Sequence, residues 1–278
     1  MAETHGDNVL EVKGLSKSFG GLKAVQDFSL VLPRGCLRGL IGPNGAGKTT
    51  VFNLLTGVYV PDTGTLTLDG RLVIGPGAGK KRPSDIAAMG MARTFQNIRL
   101  FGELSVLENV MLACHVRSTQ SMWGAALLSP FARGEERAIE ARARELLALF
   151  DLGKRAEEPA KSLPYGDQRR LEIARALATN PKVLLLDEPA AGMNPQEKKE
   201  LRALIRRVRD EFAVSILLIE HDMGLVMDVC EVITVLDYGQ VISVGSAEAV
   251  QNDPKVIAAY LGVEQSEVEA GAGGGVKS

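Results

Sequence analysis

Apolar residues fall in three rhythms along the chain. Residues 9–14, 28–32 and 65–68 alternate apolar with polar positions, the period of strands with one buried face. Residues 37–41, 183–186 and 215–219 are close to continuously apolar, which predicts short strands covered on both faces. Residues 135–150 repeat at the helical period, with Ile139, Ala143, Leu146, Leu147 and Phe150 on one face and Glu140 and Arg144 paired on the other. Further helices are predicted over 49–56, 165–178 and 196–211. A hairpin is predicted over 232–244 about the turn Asp237-Tyr238-Gly239-Gln240. Strands alternating with helices predict an α/β protein: a mainly parallel sheet covered on both faces, preceded by an antiparallel β flank.

Two stretches interrupt this order. Gly75 to Pro83 is rich in glycine and lysine and reads as a loop. Residues 97–161 read as mostly helical and separate two halves of the α/β pattern. They are expected to form an inserted α-helical subdomain, leaving a discontinuous core at 1–96 and 162–262. An apolar segment within the insertion, 122–131, reads as a small helical hairpin with a packing role. From Gly262 onward the chain is Glu- and Gly-rich without apolar periodicity, so 263–278 is expected to be a disordered tail. The chain has 278 residues, 45% of them hydrophobic, enough for a substantial core. Its formal charge of −2 offers no basic surplus for nucleic acid. Cys36, Cys114 and Cys230 are scattered without metal spacing and read as reduced thiols. The opening residues are polar, unlike a signal peptide, and no apolar run approaches the roughly 20 residues of a bilayer span. A link to a membrane is therefore expected through a partner.

Candidate chemistry begins with Gly42-Pro43-Asn44-Gly45-Ala46-Gly47-Lys48-Thr49-Thr50, between a predicted strand and a predicted helix. The run fits G-x-x-x-x-G-K-[ST], in which glycines admit phosphates to the backbone and the helix N-terminus holds their charge. Lys48 would reach the β- and γ-phosphates, and the Thr49 hydroxyl would ligate Mg²⁺. Gly79-Lys80 is a decoy, because Ile74 stands where the upstream glycine should be and Lys81 follows. The apolar run 183–186 ends in Asp187-Glu188-Pro189. Strand C-termini of a parallel sheet face the crevice that holds the phosphate loop, so Asp187 is a candidate for the Mg²⁺ shell and Glu188 for polarising the attacking water. Gln96 stands where the core meets the helical insertion and could sense Mg²⁺ or water. His221 ends the run 215–219 and could donate to a γ-phosphate.

The order of phosphate loop, Gln96, Leu163-Pro164-Tyr165-Gly166-Asp167-Gln168, Asp187-Glu188 and His221 resembles the ATP-binding cassette (ABC) family over 9–261. The resemblance implies a P-loop NTPase (RecA-like) core that uses ATP and Mg²⁺. It implies that Phe19 stacks on adenine with Val25 beside it. Tyr165, Gly166 and Asp167 match the signature that caps the γ-phosphate bound by the opposite subunit, residues 191–194 match the D-loop, and His221 matches the switch histidine. Two positions depart from the pattern. Pro164 replaces the usual serine and removes a hydroxyl, and Asn194 replaces aspartate. Both bear on the site that this chain's signature completes, not on the one built around Lys48 and Glu188.

Within the family, Tyr165–Arg175, Asp187–Pro195, Ile219–Met223, the long helical lobe and the closing Ala259-Tyr260-Leu261-Gly262 resemble the branched-chain amino acid importer ATPases. That implies two membrane permease subunits, a second ATPase subunit, an external solute-binding protein and a peripheral place on the cytoplasmic face of the inner membrane. Lipopolysaccharide-export ATPases share the Tyr-Gly signature but have a shorter helical lobe. Urea and amide importers are not separated by these motifs. DNA-repair ATPases would place a long coiled coil between loop and carboxylates, translation-factor cassettes would carry two cores, and a nucleotide kinase would leave the signature and His221 unexplained.

Overall fold

The computed structural model describes residues 8–115 and 130–261. The segment 122–129 and the tail 263–278, including their predicted hairpin and disorder, lie outside the described residues. A four-stranded antiparallel sheet, in the order β2-β1-β4-β5, is built from β1 (Asn8–Phe19), β2 (Leu22–Pro33), β4 (Thr63–Leu68) and β5 (Arg71–Ile74). Register shifts in the β1–β2 ladder beyond Val12 break the alternation that the sequence displays up to Gly14, while the pairing itself continues to Phe19.

The second sheet has six strands in the order β10-β9-β3-β8-β7-β6. They are β3 (Leu37–Ile41), β6 (Met91–Arg93), β7 (Val183–Asp187), β8 (Ser215–Ile219), β9 (Val232–Asp237) and β10 (Gln240–Gly245). All neighbours pair parallel except β9 and β10, the predicted hairpin. The continuous apolar runs are explained by what lies on each side. Leu184, Leu186, Ile216 and Leu218 enter one core, whereas Val183, Leu185, Leu217 and Ile219 enter a second core shared with the antiparallel sheet.

Helices close both faces. α1 (Lys48–Leu55) buries Val51, Phe52, Leu54 and Leu55 beneath the antiparallel sheet. α2 (Pro83–Ala88) begins where the stretch read as a loop ends; Pro83 at its start and the Asp85 carboxylate, which accepts from the Arg82 N–H at 2.9 Å, form it locally. α3 (Val106–Cys114) and α4 (Pro130–Leu149) pack against α5 (Tyr165–Ala178). Ala143, Leu146 and Leu147 of α4 and Phe150 just beyond it are buried as the period predicts, Ile139 is half-buried, and Glu140 meets Arg144 at 2.8 Å. α6 (Pro195–Phe212), α7 (Met223–Val229), α8 (Ala247–Gln251) and α9 (Pro254–Leu261) complete the described chain. Between Asn97 and Ser105 the chain is not helical. Buried Asn109 holds it in place, accepting from the Phe101 N–H (3.0 Å) and donating to the carbonyls of Phe101 (3.0 Å) and Ser105 (2.9 Å).

Candidate functional site

β3, β7 and β8 are parallel neighbours, so their C-terminal ends deliver Gly42–Thr50, Asp187–Glu188 and His221 to one edge of the sheet. The phosphate loop is fixed by close packing. A Cβ at Gly42 would lie 2.0 Å from the Leu236 carbonyl oxygen, and one at Gly47 would lie 2.5 Å from that of Ala24. Both glycines also have φ in the region that disfavours side chains, 150° and 105°. Asn44, Gly45 and Thr49 are exposed, and Thr50 is half-buried. Lys48 is 6% exposed, and its Nζ donates to the carbonyls of Gly42 (2.8 Å) and Pro43 (2.9 Å). Burial lowers its pKa, against the raising effect of Glu188 and Asp187.

Asp187 is buried, and its Oδ2 accepts from Arg93 at 2.7 Å. Arg93 also donates to Asn53 Oδ1 of α1 (2.7 Å), tying the strand end to the phosphate-loop helix. Glu188 has φ 48°, a left-handed conformation that costs about 1–3 kcal/mol for a residue with a side chain. Its N–H donates to the Ile219 carbonyl (2.9 Å), which anchors this turn on β8. Its Oε2 accepts from Gln96 Nε2 (2.9 Å), and its Oε1 lies 2.8 Å from His221 Nε2. Gln96, Glu188 and His221, far apart in the chain, thus converge on one carboxylate.

Phe19 is 41% exposed and stands edge-on to Tyr59 at 5.1 Å, leaving an aromatic surface open. Val25 is 1% exposed within the core of the antiparallel sheet, its place on β2 pointing it inward.

The signature residues stand apart from this cluster. Pro164 precedes α5 with φ −53° and ψ 153°, and no side chain caps the helix. Tyr165 is exposed at the start of α5, close to Gly192; Asp167 lies in the first turn, and a Cβ at Gly166 would meet Glu197 at 2.9 Å. Asn194 caps α6, accepting from the Glu197 N–H at 3.0 Å, a task that asparagine and aspartate perform equally well.

Sequence reasoning missed Arg169 and Glu172. They form a buried ion pair at 2.9 Å, with Arg169 0% exposed. Arg169 donates to the Phe95 and Gln96 carbonyls and Glu172 accepts from the Phe95 N–H (3.2 Å), so α5 holds the backbone of Gln96. A signal was present: Arg169 falls on the stripe Gly166, Arg169, Ile173, Leu177, the buried face of α5. Beside this clamp a cleft of about 840 Å³ is lined by Phe95, Arg99, Leu100, Phe101, Leu112 and Arg175, among others.

The site fits a nucleoside triphosphate: a loop with no room for a Cβ at Gly42 or Gly47, a buried ammonium, a helix N-terminus and a carboxylate poised beside them. Thr49, Asp187 and the Gln96 amide supply the hard oxygen donors that suit Mg²⁺. No group of three His, Cys, Asp or Glu among the described residues could hold a metal alone, consistent with an ion carried by phosphates. No helix among the described residues is long and apolar enough to cross a membrane.

Comparison with known proteins agrees. The sequence model described as ABC transporter matches residues 25–191, and that described as branched-chain amino acid ATP-binding cassette transporter matches 240–265. The high-affinity branched-chain amino acid transport ATP-binding protein LivG of Salmonella typhimurium is 48% identical, over 91% of this chain and 98% of that protein. LivG of Escherichia coli K12 is 47% identical and BraF of Pseudomonas aeruginosa 45%, each with the same coverage. Among solved structures, a nucleotide-free ATP-binding cassette from an ABC transporter superposes with a TM-score of 0.77 at 29% identity, covering 91% of this chain and 98% of that one. The ADP conformation of the cassette MJ1267 gives 0.77 at 28% identity, covering 92% and 99%. With the phosphate loop, the Gln96–Glu188–His221 cluster and these relatives in one chain, the protein belongs to the ATP-binding subunits of ABC transporters and is an ATPase.

Proposed function

We propose that this chain drives import of branched-chain amino acids, with Glu188 as the general base of ATP hydrolysis. The observation that carries the catalytic reading is the convergence of Gln96 and His221 on the Glu188 carboxylate. A carboxylate with both oxygens engaged is held in one orientation, ready to accept a proton from water. Lys48 and the loop N–H groups bind the phosphates, and Phe19 offers its ring to adenine. Thr49, Asp187 and Gln96 would hold Mg²⁺, which when bound neutralises phosphate charge. The relatives named for branched-chain amino acid transport and the match at 240–265 support the substrate class.

The same reading divides the chain into a core (1–96 and 162–262) and a helical subdomain (97–161). It places the chain at the cytoplasmic face of the membrane, bound to two permease subunits and a second ATPase, with an external solute-binding protein delivering substrate. Tyr165, Gly166 and Asp167 would face the nucleotide held by the second ATPase. Closing such a pair from 1:99 to 99:1 requires about 5.5 kcal/mol of differential nucleotide binding. The cleft at Arg99, Leu100 and Phe101 is the proposed seat for a permease segment. The test is reconstitution of the chain with its co-purifying membrane subunits and solute-binding protein in vesicles. Leucine, isoleucine or valine should stimulate ATP hydrolysis and enter the lumen. Stimulation by a different solute class, with none by these three, overturns the substrate assignment.

A further inference from the structure

One buried carboxylate beside this cluster belongs to none of the roles above. Glu220 lies between Ile219, the last residue of β8, and His221, and is only 3% exposed. Its Oε1 accepts from the Ala190 N–H at 2.6 Å. Its Oε2 accepts from the N–H of His221 at 3.0 Å and that of Asp222 at 3.4 Å. Ala190 is two residues beyond Glu188, so one side chain bridges the backbone that follows the general base and the backbone that carries its histidine partner.

Burying a carboxylate is costly, and burial raises this one's pKa, with the nearby Glu188 charge adding to the shift. A group so placed is maintained by what it organises. Three N–H donors converge on two oxygens, and only an acceptor-only group satisfies both sides. An amide would turn its NH₂ against the Ala190 donor or against the His221 and Asp222 donors. The neighbouring carboxylate has separate work: Asp222 caps α7 through the Leu225 N–H (2.9 Å) and pairs with Lys198 of α6 (2.8 Å). Glu220 reaches across from the end of β8 to the strand-end turn after β7.

Resting on the reading of Glu188 as general base, we infer that Glu220 is a positioning residue for ATP hydrolysis, setting the 2.8 Å contact between Glu188 and His221 by fixing both backbones. Its contacts are with the backbone N–H groups of Ala190, His221 and Asp222.

The test uses the full-length chain with its co-purifying membrane subunits and compares Glu220→Gln, His221→Ala and the double substitution. ATP turnover, affinity for a fluorescent ATP analogue and thermal unfolding are measured on each. Misplacing a reacting group by about 1 Å costs on the order of 100-fold, so kcat of Glu220→Gln should fall by about that factor while nucleotide affinity stays within about twofold. Residues that act as a unit are not additive, so the double variant should be no slower than His221→Ala alone. Glu220→Asp keeps the charge but shortens the reach and should lie between wild type and Glu220→Gln. Wild-type kcat in folded Glu220→Gln, or a loss that multiplies with that of His221→Ala, overturns the inference. Failure of both Glu220 variants to fold overturns it too, because the carboxylate would then be structural only. Wild-type turnover in a parallel Glu188→Gln control would instead remove the general base on which the inference rests.

Discussion

The two ends of the site, the phosphate loop with its strand termini and the signature at the start of α5, are held in place by different means. At the first, constraint is backbone-borne: Gly42 and Gly47 pack against the carbonyls of Leu236 and Ala24, Glu188 sits in a left-handed turn, and Lys48 folds back onto its own loop. At the second, the leading residue is a proline without a side-chain cap. Position comes from side chains, through Glu197 against Gly166 and the Arg169–Glu172 pair on Phe95 and Gln96. The first end gathers its candidate chemical groups on one sheet edge. The second is tied to the Gln96 segment. Substitutions at the first should therefore remove a chemical step, and those at the second should alter how a complete site assembles.

Four substitutions separate these two behaviours, in descending order of effect. Glu188→Gln removes the proposed general base and should lower turnover by about 10²–10⁴-fold while ATP binding persists. Single-turnover hydrolysis and equilibrium nucleotide binding check this, and wild-type turnover would end the assignment. Arg169→Ala leaves Glu172 buried without its partner, which costs about 3–5 kcal/mol of stability by denaturant unfolding. If stability holds, the pair does not brace the Gln96 segment. Lys48→Ala removes a charged donor to phosphate worth about 1.5–3 kcal/mol, a loss in ATP affinity of about 10–150-fold with little change in fold. Unchanged affinity by titration would take Lys48 out of the phosphate site. Pro164→Ser restores a capping hydroxyl worth about 0.5–2 kcal/mol. It should raise turnover of the assembled complex a few-fold at most without changing nucleotide affinity of the isolated chain; no change in turnover would make the missing hydroxyl immaterial.

The same contrast explains what the sequence made legible. The phosphate loop, the strand carrying Asp187 and Glu188, and the helix Tyr165–Ala178 depend on contiguous patterns, and each lies where the pattern placed it. α2 escaped because the glycine- and lysine-rich run before it dominates its window, although Pro83 and Asp85 signalled a helix start. β5 escaped because four residues are too few for alternation to show. Arg93, Arg169, Glu172 and Glu220 escaped for a common reason. Charged residues read as surface, and only the folded arrangement supplies the carbonyls, N–H groups and opposite charges that let them be buried.

The claim that most needs a direct answer is that the phosphate loop of this chain forms half of a site, with the other half on a second cassette. Analytical ultracentrifugation of the Glu188→Gln chain mixed with its co-purifying ATPase, in ATP with Mg²⁺ and separately in ADP, measures it. A two-cassette species is expected in ATP with Mg²⁺ and separate cassettes in ADP. Separate cassettes under both conditions, with ATP bound to each, would contradict it.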